Sequence, residues 1–314
     1  MKVLFWGTPD FAVPTLRALV GEGHEVVGVV TQPDRPKGRG RTLTPSPVKE
    51  VAEAEGVPVL TPDRPRGDGF LAELAALTPE VSVVVAYGHI LTPEVLDLPP
   101  LGSWNVHASI LPALRGAAPI HWAVARGHEE TGVTVMQMEE GLDSGPMLVT
   151  HRIAIDPTDT SSSLAPRLAE LGAAAMIEGL ALLETGIAEP ETQDHEAATY
   201  APKVSREVAR IDWTRPAAEV RDHVRGMDSV PGAWTTLEGQ PLKLFSPTPT
   251  LDPVADAQPG QVVDVDTECP DGLAVATSDG AVRFAEVQPP GKRRMDVGSW
   301  LRGRSVERGV VLGD

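Results

Sequence analysis

The chain has 314 residues, with 27 Lys and Arg against 44 Asp and Glu, for a formal net charge of −17. An acidic body repels phosphate, which excludes broad nonspecific nucleic-acid binding and leaves room only for a local contact. A single cysteine, Cys269, excludes an internal disulfide framework and a Cys-rich zinc site, while 30 Gly and 30 Pro without periodicity indicate a globular chain with many stiff connections. The opening MKVLFWGTPDFAV has one Lys and an apolar run that stops at Gly7, so it does not read as a secretory signal. No stretch reaches the roughly 18 apolar residues of a membrane span, and the chain is read as soluble and cytoplasmic, with no membrane partner.

Apolar, β-branched runs at Val3–Trp6, Val26–Thr31, Val57–Leu60, Val81–Tyr87, Trp104–His107 and Val133–Met138 alternate with segments of helical period. That order predicts βαβ units. Runs without polar alternation, such as VSVVVAY, predict strands covered on both faces, hence a mostly parallel, Rossmann-like α/β domain. A long helix is expected from Asp159 to Gly186, with Pro166 in its first turns. The acidic, Pro-containing stretch Ile187–Lys203 has lost apolar period and reads as a linker, which divides the chain into 1–186, 187–203 and 204–314. Beyond it come a helix over Pro216–Met227 and strand-like runs at Ala233–Leu237, Pro241–Phe245, Gln261–Val265, Leu273–Thr277 and Val282–Val287, separated by EGQ, DG and PPG turns. Five short strands predict a smaller β-barrel domain, OB-like in type.

Ligands of open α/β sheets sit beyond the C-terminal ends of the strands, so polar residues there are the candidates for chemistry. The first such loop, Gly7-Thr8-Pro9-Asp10, is a tight strand-to-helix turn and not GxGxxG, so no dinucleotide is inferred from it. At the end of a later strand, Asn105-Val106-His107 aims an amide and an imidazole at one face while Val106 points the other way. By themselves the two read first as a solvated strand end. Together they can hold a developing oxyanion, with His107 also moving a proton. After them comes a loop of small residues and prolines, Ser109-Ile110-Leu111-Pro112 followed by Arg115-Gly116-Ala117-Ala118-Pro119. The third element is Asp143 in Gly141-Leu142-Asp143-Ser144-Gly145; a loop carboxylate is ordinarily solvated, but one that approaches His107 favours the imidazolium and orders a proton path. Covalent and metal mechanisms have no support, because Ser109 lacks an elbow context and His128-Glu129 is followed by Gly132 where a second zinc-binding His would stand.

The runs GTPDFAVPTL, TQPDRPKGRGR, SPVK, VVVAYGHIL, NVHASILPALRGAAPI, ETGVTVMQMEEGLDSGPML and ARIDW span most of the chain and together resemble the methionyl-tRNA formyltransferase family. The segment carrying Asn105, His107 and Asp143 also resembles the wider formyltetrahydrofolate-dependent transferases. The resemblance implies direct formyl transfer from 10-formyltetrahydrofolate, a reduced folate acting as co-substrate, with no metal and no covalent enzyme intermediate. It implies folate along Ser109, Ile110, Leu111 and Pro112, with Tyr87, Gly88, Ile90 and Leu91 lining the pterin pocket. Two positions depart from the family pattern, Ala108 after His107 and Pro146 after Gly145, and neither removes a functional group.

The acceptor is read from local charge. Arg35, Lys37, Arg39, Arg41 and Lys49 face a single Asp34 in a Gly/Pro-rich loop, which reverses the sign of the body and suits an RNA end. A solvated charged loop is the plainer reading; the resemblance implies instead an insertion that grips the acceptor stem of initiator methionyl-tRNA. A second basic cluster, Lys292, Arg293, Arg294, Arg302, Arg304 and Arg308 against Asp296 and Glu307, lies on the expected barrel, and Lys203 at the domain boundary is grouped with it. The chain is expected to act as a monomer. Two alternatives stay open, a formyltransferase for a small amine and a noncatalytic folate or RNA binder; truncation near Lys203 is expected to separate the first from a tRNA enzyme.

Overall fold

A computed structural model of the chain describes residues 1–37, 40, 42–250, 256–269, 271–304 and 306–313, the side chains of Lys37 and Thr250 excepted. Arg39 and Arg41 of the basic loop lie outside the described residues. The structure forms two compact units that interleave along the chain. The first comprises Met1–Gly116, Thr131–Ile153 and Ala165–Tyr200, and the second Ala117–Glu130, Ala154–Leu164 and Ala201–Asp314.

In chain order the first part runs β1 (Lys2–Gly7), α1 (Val13–Gly21), β2 (Glu25–Val30), β3 (Arg35–Lys37), β4 (Thr42–Thr44), α2 (Pro47–Ala54), β5 (Val59–Leu60), α3 (Asp68–Ala76), β6 (Val81–Val85), α4 (Pro93–Leu96) and β7 (Ser103–His107). There follow α5 (Pro119–Ala125), β8 (Glu130–Gln137), β9 (Met147–Ala154) and α6 (Ser161–Thr185). The main sheet has the order β5-β2-β1-β6-β7-β8-β9. Pairs from β5 to β7 are parallel and β7 with β8 is antiparallel. Every residue of β6 is buried, as a strand covered on both faces requires. The chain moves outward from β1 to β5 and returns to β6 on the other side of β1. That reversal opens a crevice at the C-terminal ends of β1 and β6, where ligands of such sheets bind. The core beside it holds Trp6 edge-on to Tyr87 at 5.2 Å. Gly172 lets α6 close on the sheet, because a Cβ there would lie 2.7 Å from Val106 Cγ1.

The second unit contains α5, α7 (Ala217–Met227), α8 (Val297–Gly303) and an antiparallel sheet of β10 (Trp234–Leu237), β11 (Gln240–Thr250), β12 (Val262–Val265), β13 (Leu273–Ala276), β14 (Ala281–Gln288) and β15 (Met295–Asp296). Its order, β10-β11-β14-β13-β12 with β15 on β14, is that of a half-barrel, in keeping with the expected OB-like architecture. Trp213 packs edge-on to Phe284 at 5.9 Å in its core. Helix α7 fits against α5 because position 226 is Gly; a Cβ there would lie 2.6 Å from the Ala125 backbone nitrogen. Buried Arg225 ties α7 to the 154–164 segment through Asp159 O at 2.6 Å and Asp156 O at 2.8 Å.

The differences from the sequence reading have local causes. Strand β11 continues past Phe245 through Pro247 and Pro249, because beyond Lys243 it pairs with β14 alone and its other edge needs no donor. The edge strand β9 and the β3–β4 hairpin were not anticipated. The stretch Ile187–Lys203 is not a free linker up to Tyr200: Glu191 bridges Met147, and Tyr200 bridges Arg115, both within the first unit.

Candidate active site

Strand β7 delivers His107 to the sheet edge almost fully buried, 5% exposed. Its Nε2 lies 3.0 Å from the carbonyl oxygen of Leu114. A carbonyl only accepts, so this partner assigns the proton to Nε2 and leaves Nδ1 as the nitrogen that takes up or releases a proton. Nδ1 faces Asp143 Oδ2 at 3.7 Å, beyond hydrogen-bond length but well within electrostatic reach. Asp143 Oδ2 accepts from the Gly116 backbone N–H at 2.8 Å, which fixes the carboxylate relative to the loop after β7. The backbone of Asp143 has φ +49°, a left-handed conformation that a non-glycine residue holds only when its surroundings impose it. Asn105, two residues before His107 on the same face, is half-buried, and its amide makes no hydrogen bond among the described residues. An amide and an imidazole on β7 and a carboxylate on a loop of the same unit can therefore polarise a carbonyl oxygen and relay a proton.

The expected folate residues divide. Ser109 is buried and donates to Ala113 O at 2.6 Å; its carbonyl accepts from Thr134 Oγ1 at 2.8 Å, and the same hydroxyl accepts from Leu111 N–H at 3.2 Å. These bonds fold the 109–113 loop, so Ser109 serves through backbone shape, while Ile110 and Pro112 remain partly exposed and Leu111 is buried. Tyr87 keeps its ring in the core: the side chain is 2% exposed, packed on Trp6, and its hydroxyl has no hydrogen-bond partner among the described residues. What Tyr87 contributes at the crevice is its carbonyl, which accepts from Thr8 Oγ1 at 3.1 Å and Gln32 Nε2 at 2.9 Å. Gly88 follows at φ +86°, where a Cβ would lie 2.5 Å from Gln32 Nε2. Ile90 is 94% exposed and Leu91 is buried in the core.

The basic residues divide as well. Lys49 pairs with Asp34 at 2.9 Å, so these two charges cancel and Arg35, bonded to Gln32, is the loop guanidinium whose place is described. In the second unit Arg294 is paired with Asp228 at 3.0 Å and with Glu286, and it stacks over Phe245 at 4.1 Å, so much of its charge is balanced by these two carboxylates while a third of the side chain stays exposed. Arg304 and Arg308 pair with Glu238 and Asp264, and Arg302 donates to Ser299 Oγ. Lys203, Lys292 and Arg293 are exposed and make no ion pair among the described residues. Among those residues no group of three His, Cys, Asp or Glu is placed to hold a metal, and no helix is long and apolar enough to cross a membrane.

Sequence reasoning missed Gln193, Arg115 and Thr199. Gln193 donates to the carbonyls of Asp143 and Gly145 at 2.9 and 2.7 Å, and Arg115 holds Gln193 Oε1 at 2.6 and 3.0 Å. All three come from segments without a periodic signal, and only folding brings them to the site.

The model of the Formyl transferase family matches residues 1–180, and that of the Formyl transferase, C-terminal domain, matches 203–305. The methionyl-tRNA formyltransferase of Desulfotalea psychrophila is 48% identical over 312 residues, covering 99% of this chain and 95% of that protein. That of Bacillus subtilis is 46% identical over 313 residues, covering 99% and 98%. Among solved structures, an N-formyltransferase from Helicobacter canadensis in complex with folinic acid and dTDP-3-aminofucose superposes with a TM-score of 0.69 at 16% identity, covering 92% of this chain and all of that one. HypX from Aquifex aeolicus in complex with tetrahydrofolic acid superposes with a TM-score of 0.65 at 20% identity, and this chain covers 47% of it. These two show the fold. With both formyl transferase models matched and nearly full-length identity to the two curated relatives, the chain belongs to the methionyl-tRNA formyltransferase family.

Proposed function

We propose that this chain transfers the formyl group of 10-formyltetrahydrofolate to the amino group of initiator methionyl-tRNA, with Asn105, His107 and Asp143 as its catalytic residues. The observation that carries the assignment is the orientation of His107: Leu114 O holds Nε2–H, and Nδ1 is thereby turned toward Asp143 Oδ2 at 3.7 Å. Asn105, whose amide is not engaged, donates to the formyl oxygen as negative charge develops on it. As the amine nitrogen bonds to the formyl carbon and the bond from that carbon to the folate nitrogen breaks, one proton leaves the amine and one reaches the folate nitrogen. His107 Nδ1 takes up and returns that proton, and Asp143 stabilises the imidazolium in between.

Folate is placed along Ile110, Leu111 and Pro112, with the Tyr87–Gly88 backbone and Leu91 behind it; the half-buried apolar lining suits a planar ring with a few fixed polar contacts. Arg35, Lys37, Arg39 and Arg41 on one unit and Lys203, Lys292 and Arg293 on the other supply phosphate contacts to tRNA on a body of net charge −17. The chain is taken to act in the cytoplasm, where translation starts, and as a single chain, a state that sedimentation reads directly. Formyl incorporation from 10-formyltetrahydrofolate into charged initiator tRNA, with uncharged tRNA and elongator methionyl-tRNA as controls, tests the whole reading. Incorporation into a small amine but no tRNA would overturn the acceptor and keep the catalytic trio.

A further inference from the structure

We propose that Gln193 and Arg115 form a buried clamp that positions Asp143 and the His107 anchor together for formyl transfer. The proposal rests on the reaction proposed above and adds two positioning residues to it. Gln193 is 3% exposed, and its amide nitrogen bridges the Asp143 and Gly145 carbonyls, one on each side of Ser144. Those two bonds hold the left-handed turn in which Asp143 sits, at φ +49°. The other end of the amide is gripped by Arg115 through two nitrogens, at 2.6 and 3.0 Å, and Arg115 is itself 4% exposed.

Among the described residues none of the Arg115 side-chain hydrogen bonds goes to a carboxylate; besides Gln193 it donates to His195 Nδ1 at 3.1 Å. A buried cation without an anion partner is a costly element if its task is only to fill space. It has a clear effect here: it draws electron density toward Gln193 Oε1 and strengthens Nε2–H as a donor to the Asp143 turn. The same segment also reaches the imidazole. Thr199 Oγ1 accepts from Leu114 N–H at 2.9 Å, Thr199 O accepts from Arg115 N–H at 2.8 Å, and Leu114 O is the acceptor that orients His107. Residues 193 to 199 thus fix both partners of the 3.7 Å pair from one side.

The test uses the full chain and two replacements of nearly constant size. Gln193→Glu keeps oxygens for Arg115 but removes both N–H donors; Gln193→Met removes donors and acceptor without adding charge. Both are expected to lower kcat by about a hundredfold, the scale of a displacement near 1 Å at a reacting pair, with KM for folate and tRNA unchanged. Arg115→Lys keeps the charge but loses the fork, and its kcat is expected to fall between those of the Gln193 variants and the parent. Parent-like kcat in either folded Gln193 variant would overturn the clamp. So would a loss that merely follows the fraction of folded protein, read by thermal unfolding, since this would leave the two residues a structural role only. The parent is measured alongside: an inactive parent removes the proposed reaction and the clamp with it, whereas an active parent with undiminished variants removes the clamp alone.

Discussion

Replacing Asp143 by Asn isolates the charge that faces His107. The amide retains an oxygen for the Gly116 N–H, so the loop keeps the 2.8 Å bond that orients the side chain. What is lost is the attraction between a carboxylate and a protonated imidazole 3.7 Å apart. At an effective dielectric constant near 20 that attraction is about 4 kcal/mol, and at the dielectric constant of bulk water it falls to about 1 kcal/mol. With side chains only 6% and 19% exposed, the pair lies toward the first limit. If the imidazolium is present in the transition state and absent in the ground state, kcat/KM should fall by about a hundred- to a thousandfold. Single-turnover formyl transfer under limiting enzyme-bound folate reads this loss without interference from product release, and circular dichroism confirms that the variant is folded. A folded Asp143→Asn enzyme with less than a tenfold loss would refute the proton relay and reduce Asp143 to a loop residue.

Burial pushes the Tyr87 phenol up to about 12, so the folded chain holds this proton more tightly than the unfolded chain does. Its contribution is complete below the ordinary value near 10 and is lost as pH rises toward 12. Tyr87→Phe should therefore leave folate binding intact and should reduce the alkaline loss of stability by about 2–3 kcal/mol in denaturant titrations at matched pH. Arg294→Gln strips buried Asp228 of its cation and should cost about 3 kcal/mol, the low end for a broken buried pair because Arg294 is one-third exposed. Burial already raises the Asp228 carboxyl against the opposing pull of Arg294; without Arg294 it rises further. The folded variant then gains protons more readily than its unfolded chain, so its deficit should be largest at neutral pH and shrink as pH falls through the raised value. Lys292→Ala and Arg293→Ala should each weaken tRNA binding and reduce the salt slope by about one, measured by titration at several salt concentrations; unchanged slopes would remove both from the RNA surface.

Much of the first unit was legible because β1, β2 and β6 are short, largely apolar runs that fit a covered parallel sheet. Asn105 and His107 could be picked out on β7 for a different reason: the strand period fixes which way they point. Strand β9 could not, since MLVTHRIA mixes exposed polar residues into an edge position. Charge was visible in Arg294, but its partner Asp228 lies 66 residues away, so the sequence did not reveal the ion pair that folding makes there. Gln193 was hidden in the same way, 78 residues from Arg115 in a stretch whose composition signals a linker. Tyr87 misled because a residue ending a strand is placed at the crevice by its backbone, while its ring follows the core.

The interleaving of the two units bears on how the protein is made. Helix α5 leaves the ribosome long before α7, against which Gly226 lets it fit, and the 154–164 segment likewise precedes Arg225. The two pieces bond to each other through Ile155 N–H and Glu129 O, but they must wait for α7 until the last third of the chain has been synthesised. A stop codon or a graft junction placed near Lys203 would leave both pieces without α7 and the rest of the second unit. A chimera that exchanges the second unit with that of a relative therefore has to carry 117–130 and 154–164 along with 201–314.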